Sequence, residues 1–112
     1  MDELNALNMF AALSQPTRLR VLRFLIQKGA NGCPAGEIAK QLGIRQNTMS
    51  ANLKVLHQSG LLSTERQGRS IRYAIRLDAI KGLIGFLMED CCGGRPEICQ
   101  PVLDELGCEQ AC

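Results

Sequence analysis

The chain has 112 residues, a formal net charge of +2, 46% hydrophobic residues and 21% charged residues. Those figures fit one soluble globular domain and argue against two, and a charge this small does not announce a nucleic-acid partner by itself. The longest apolar stretch, residues 83–88, is interrupted by Gly85 and is far short of the roughly 20 residues that span a bilayer, so no membrane partner is expected.

Asp2 and Glu3 stand where an export signal would carry a basic region, and no cleavage-like small-residue motif follows, so a cytoplasmic location is expected. The first helical pattern covers residues 2–13, with Leu4, Leu7, Phe10 and Ala11 at helical spacing. Ser14 reads as the N-cap of a second helix, with Pro16 in its first turn. Leu19, Leu22, Leu25 and Ile26 are expected to form its apolar face, with Arg18, Arg20 and Arg23 on other faces and Gly29 as the stop. A loop rich in breakers (Gly29, Asn31, Gly32, Pro34) leads to a short helix over residues 35–42, facing inward through Ile38, Ala39 and Leu42.

Gly43, Ile44 and Arg45 make a tight turn into a helix over residues 46–59, whose Met49, Leu53 and Leu56 form a core stripe. Apolar residues then alternate in residues 61–65 and 71–77, joined by a basic, glycine-containing tip at 66–70, which predicts a β-hairpin. A last helix starts near Asp78 and carries Ile80, Leu83, Ile84, Leu87 and Met88. The expected fold is mainly α with a small β-hairpin: a winged helix-turn-helix over residues 1–90, used for DNA binding and dimerisation. Residues 91–112 are expected to form a flexible, cysteine-rich sensing tail, with a short helix near residues 102–106.

The helix after the tight turn has an unusual outer face. Gln46, Asn47, Thr48, Ser50 and Ala51 are small or uncharged, which suits a major groove, where a solvated helix would carry Glu and Lys. Arg45 and Lys54 flank this surface, and Arg66, Arg69 and Arg72 would let the hairpin lean on the DNA backbone or minor groove. Between residues 45 and 76 six basic residues face a single acid, Glu65. The competing reading makes residues 46–50 a polar cap and the hairpin a solvated turn.

Four segments decide between these readings by resemblance: SQPTRLRVL from Ser14, QNTMSANLKVL from Gln46, GLL from Gly60 and GRSIRY from Gly68. Together they resemble the ArsR/SmtB family of metalloregulatory repressors, over roughly residues 4–90. The resemblance implies a homodimer built on the first and last helices, with two recognition helices reading an inverted repeat in double-stranded DNA. Apolar surface on those two helices exceeds what one small domain covers alone, which agrees with such a pairing.

Members of that family sense inducers at different positions. The paired-cysteine site on the first helix of the helix-turn-helix is absent, because that segment reads AGEIAK. The zinc site of Asp and His on the last helix is absent too, since the only histidine is His57, read as a surface or capping residue. What remains is CCGGRPEIC from Cys91 to Cys99. In a reducing compartment clustered cysteines read as metal ligands or redox sensors, not as disulfide staples. The soft thiolates of Cys91, Cys92 and Cys99 suit trigonal pyramidal As(III) or Sb(III) as inducer, with no organic cofactor expected. Gly93 and Gly94 would let the adjacent cysteines turn to one site, Pro96 would help return Cys99, and Arg95 would favour the thiolates. The pattern resembles the C-terminal arsenite site of some family members.

Alternatives stay open: thiol redox sensing, a structural disulfide, or zinc or cadmium binding that recruits Cys108 or Cys112. Cys33 is expected to be a small buried apolar residue. An enzyme is not expected, because an arsenate-reductase-like thiol chemistry would need a structured anion-binding loop around its nucleophile. The predicted function is repression of a metalloid-resistance operon, relieved when the metalloid fixes the tail and shifts the last helix.

Overall fold

The computed structural model describes residues 1–91, 100, 101, 104 and 105, with side chains through residue 88 and at the four later positions. Helix α1 (Glu3–Leu13) is opened by Asp2, whose carboxylate accepts from Asn5 N–H at 2.7 Å. Helix α2 (Pro16–Lys28) follows after only two residues, and here the structure departs from expectation. Ser14 closes α1, its Oγ donating to Ala11 O at 3.0 Å. Gln15 opens α2 instead: its backbone is extended and its side-chain oxygen accepts from Arg18 N–H at 2.8 Å. With Pro16 at the first helical position, the residue directly before it must take the extended cap geometry.

A 3-10 turn (Gly29–Asn31) leads into β1 (Cys33–Pro34), a two-residue strand where the sequence suggested only a loop. Helices α3 (Ala35–Leu42) and α4 (Gln46–Gln58) are joined through Gly43 in the left-handed conformation, φ 65° and ψ 36°. Ile44 N–H donates back to Ala39 O at 2.9 Å, closing α3 and turning Ile44 onto the core. Strands β2 (Leu62–Gln67) and β3 (Ser70–Ile75) form the hairpin, or wing, with Gln67 opposite Ser70 across a two-residue Gly68–Arg69 turn. The sheet is antiparallel in the order β1-β3-β2, Cys33 pairing with Tyr73 and Pro34 with Arg72. Helix α5 (Leu77–Cys91) completes the domain.

The core is aliphatic, as expected of a chain with only three Phe, one Tyr and no Trp: Val21, Leu25, Ile38, Met49, Leu53, Leu56, Leu61 and Leu62 are fully buried. Each of the two central helices presents an i, i+3, i+4, i+7 stripe to it. On α4 the stripe is Met49, Asn52, Leu53 and Leu56. On α2 it is Arg18, Val21, Leu22 and Leu25, with Arg18 half-buried. The expected α2 face is therefore rotated. Leu19 and Ile26 lie about 100° off the stripe and stay exposed, at 45% and 44%.

Helices α1 and α5 bury only part of their apolar surface. Ala6, Met9 and Ala12 of α1 and Ala79 and Leu83 of α5 reach the core, whereas Leu4, Leu7, Phe10, Ile84 and Leu87 remain exposed. This uncovered surface is what the sequence pattern anticipated for these two helices. The residues assigned to a flexible tail lie, apart from Cys91 and the helical residues 100, 101, 104 and 105, outside the described residues. No helix among the described residues is long and apolar enough to cross a membrane.

Candidate nucleic-acid interface and thiol site

The fold turns one side of α4 to solvent at its N-terminal end. With Met49, Leu53 and Leu56 inside, helical periodicity turns Asn47, Thr48, Ser50 and Ala51 outward, and these four are exposed, as is Gln46, the first residue of the helix. Asn47 Oδ1 accepts from Thr48 N–H at 2.9 Å, tying up one of the free donors of the first turn. Arg45 is the residue preceding the helix, makes no side-chain cap bond and is exposed, and Lys54 is exposed further along.

The wing stands beside this face. Arg69 sits in its turn, and an open cleft of about 520 Å³ separates it from the starts of α3 and α4, with Gly36, Gln46, Ser50, Arg69 and Tyr73 among its walls. Three of the sequence-predicted contacts, Gln46, Ser50 and Arg69, are thus brought to one concavity by two different elements. Arg66 is exposed on β2. Among the described residues Arg45, Lys54, Arg66 and Arg69 make no ion pair, leaving four guanidinium or ammonium groups available to phosphates.

Arg72 differs from the other basic residues. Its Nη1 donates to Asn31 O at 2.9 Å and Gly32 O at 3.3 Å, and its Nε to Gln67 Oε1 at 3.3 Å. The side chain therefore fastens the wing to the turn before β1, and a phosphate would have to compete with those bonds. Arg76 lies away from the cleft and pairs with Asp78 at 2.9 Å. That bond holds the exposed Asp78 carboxyl below its usual range.

One polar contact inside the domain was missed by sequence reasoning. Arg18 Nη1 donates to Asn52 Oδ1 at 3.2 Å, and Asn52 Nδ2 donates to Thr48 O at 3.0 Å. Arg18 Nε also donates to Ala12 O, in the last turn of α1, at 2.6 Å. The available signal was the core stripe itself: both residues occupy positions that its i, i+3, i+4, i+7 spacing reserves for apolar side chains.

The proposed sensing thiols fall at the edge of what the structure describes. Helix α5 runs to Cys91, the first of them, while Cys92, Cys99, Cys108 and Cys112 lie outside the described residues. Cys33 is buried, and that burial pushes its thiol above the usual range, with smaller opposing effects from Lys28 and Arg72. It behaves as the small core residue expected. His57 is exposed on α4, and no group of three or more potential metal ligands forms among the described residues.

Residues 13–65 match the helix-turn-helix domain family. The transcriptional repressor SdpR of Bacillus subtilis is 32% identical over 81 residues, covering 72% of this chain and 87% of that protein. A homodimeric winged helix-turn-helix DNA-binding domain from Mycobacterium bovis, described as a possible ArsR-family regulator, superposes with a TM-score of 0.62. It is 26% identical and covers 80% of this chain and 81% of its own. The chain belongs to the ArsR family of helix-turn-helix transcriptional regulators. An ArsR-like regulator from Rhodococcus shares the fold over 92% of each chain, with a TM-score of 0.68 and 23% identity. Helices α3 and α4 form the helix-turn-helix of this fold and β2–β3 its wing, so the exposed face of α4 lies on the helix-turn-helix.

Proposed function

We propose that this ArsR-family chain represses a metalloid-resistance operon and leaves its operator when As(III) or Sb(III) is captured by Cys91, Cys92 and Cys99. The observation that carries the reading is the course of α5. The helix that offers Ile84 and Leu87 as uncovered apolar surface, as α1 offers Leu4 and Leu7, continues to Cys91. A ligand that ties Cys91 to cysteines beyond the helix end pulls on an element of the surface available to a second copy. In the dimer, two α4 helices must meet successive major grooves about 34 Å apart, so a small shift at the pairing surface misaligns both half-sites.

The chemistry suits thiols in this position. Three Cys Sγ atoms replace the three oxygens of arsenous acid, each As–O bond giving way to As–S with release of one water. Soft sulfur ligands favour such an acceptor over hard cations. Cys33 does not compete, because its buried thiol resists deprotonation.

The test is cysteine replacement in the full chain. Cys91→Ser, Cys92→Ser and Cys99→Ser variants are expected to bind the DNA upstream of the protein's own gene as wild type does, yet to stay bound when arsenite is added, by gel shift. Loss of DNA binding in the serine variants, or unaltered release by arsenite, overturns the assignment.

A further inference from the structure

The two central helices each give one core-stripe position to a polar side chain, and those two side chains meet. Asn52 stands in the α4 stripe between Met49 and Leu53 and is 8% exposed, the only buried polar side chain among the described residues. Arg18 stands at the start of the α2 stripe, three residues before Val21. An apolar pair would fill these positions at lower desolvation cost, since a buried polar contact contributes little net stability over a hydrophobic one. The contact therefore supplies geometry that apolar packing lacks.

That geometry connects three helices. Arg18 Nε is anchored on Ala12 O at the C-terminal end of α1, where the unpaired carbonyls favour a cation. Its Nη1 reaches Asn52 Oδ1, and the opposite side of the same amide is fixed to Thr48 O. Thr48 lies in the exposed first turns of α4, between Asn47 and Ser50. A planar guanidinium directs its donors at fixed angles, so the orientation of α4 is set relative to the end of α1. Apolar side chains of similar volume would hold α4 against the core but would let it rotate or slide.

We infer that Arg18 and Asn52 are positioning residues for DNA reading, acting through Thr48 and the first turns of α4 to hold the reading helix at a set angle to α1. Neither needs to touch DNA. The inference deepens the reading of α4 as the DNA-binding helix and rests on it. Because α1 also carries exposed Leu4, Leu7 and Phe10, the same contact ties the angle of α4 to the helix best placed to meet a second copy.

The experiment compares the full-length wild type with Arg18→Met, Asn52→Leu and the double variant. Fluorescence anisotropy measures binding to the DNA upstream of the protein's own gene and to a scrambled duplex of equal length at one salt concentration, with thermal melts alongside. The double variant, which removes both polar partners together, is expected to keep its fold even where a single variant does not. Its affinity for the upstream duplex is expected to fall on the order of tenfold, with affinity for the scrambled duplex unchanged. Folded single variants should show the same loss, and the double no more than either, because the bonds from Ala12 O through Arg18 and Asn52 to Thr48 O act in series and each variant severs that link. An upstream-duplex affinity within about twofold of wild type in the double variant, or losses that multiply in it, overturns the inference. A wild type that does not distinguish the two duplexes overturns instead the reading of α4 as the DNA-reading helix, and the inference with it.

Discussion

At the scale of single residues, the clearest demands come from places where the backbone leaves no room. Gly32 has φ +65°, and a Cβ there would collide with the Tyr73 carbonyl oxygen and stand 2.9 Å from Ala74 Cβ. The two-residue strand β1 can approach β3 only because this position lacks a side chain. Gly32→Ala is therefore expected to lower unfolding stability by about 2 kcal/mol, seen as a lower denaturant midpoint; an unchanged midpoint would show that β1 does not need the close approach. The sequence marked Gly32 as a loop residue and no more, because a strand of two residues has no periodicity to read. The same limit explains Gln15: a glutamine is not a favoured N-cap, and only the extended backbone before Pro16 reveals it as one. Arg18 and Asn52 were hidden differently. Arg18 was placed on another face of α2 and Asn52 was left out of the α4 stripe, whereas the observed stripes give both of them inward positions.

At the scale of elements, helix spacing carried most of the reading. The bounds of α3 and the inward face of Ile38, Ala39 and Leu42 were legible because Pro34 and Gly43 punctuate a short amphipathic run. The stripe of Met49, Leu53 and Leu56 was equally legible, and it dictates which residues α4 shows to solvent. The α2 face was read about 60° out, with Leu22 and Leu25 correctly inside, because Leu19 and Ile26 are as apolar as Val21 and Leu22; composition alone does not tell a core face from a surface that awaits a partner. On α4, two kinds of DNA contact are expected to separate. Lys54→Ala is expected to weaken binding to all duplexes alike and to reduce the slope of log affinity against log salt by about 1. Gln46→Ala, in the cleft shared with the wing, is expected to cost roughly 1–3 kcal/mol on the preferred duplex and little on a scrambled one. Equal losses on both duplexes for Gln46→Ala would remove that residue from base reading.

At the scale of the whole molecule, the proposed function joins an input at the end of α5 to an output on α4 through the surface where two copies would pair. The apolar residues left uncovered on α1 and α5 make a paired state the economical arrangement for a domain this small. Any coupling between metalloid and DNA must then be reciprocal, the operator weakening metalloid binding by the factor with which metalloid weakens operator binding. The helix-turn-helix and wing were legible from local periodicity, and the family from the resemblance carried by four sequence segments. The proposed sensing half rests on composition and resemblance alone, since adjacent cysteines followed by Gly93, Gly94 and Pro96 carry no periodic pattern. The most direct measurement is a side-by-side titration of the protein bound to its own upstream DNA with arsenite, antimonite, cadmium and zinc. Release by arsenite and antimonite at stoichiometric concentrations, with zinc inert, is the predicted result; release by cadmium or zinc with arsenite inert would contradict the three-thiol metalloid site.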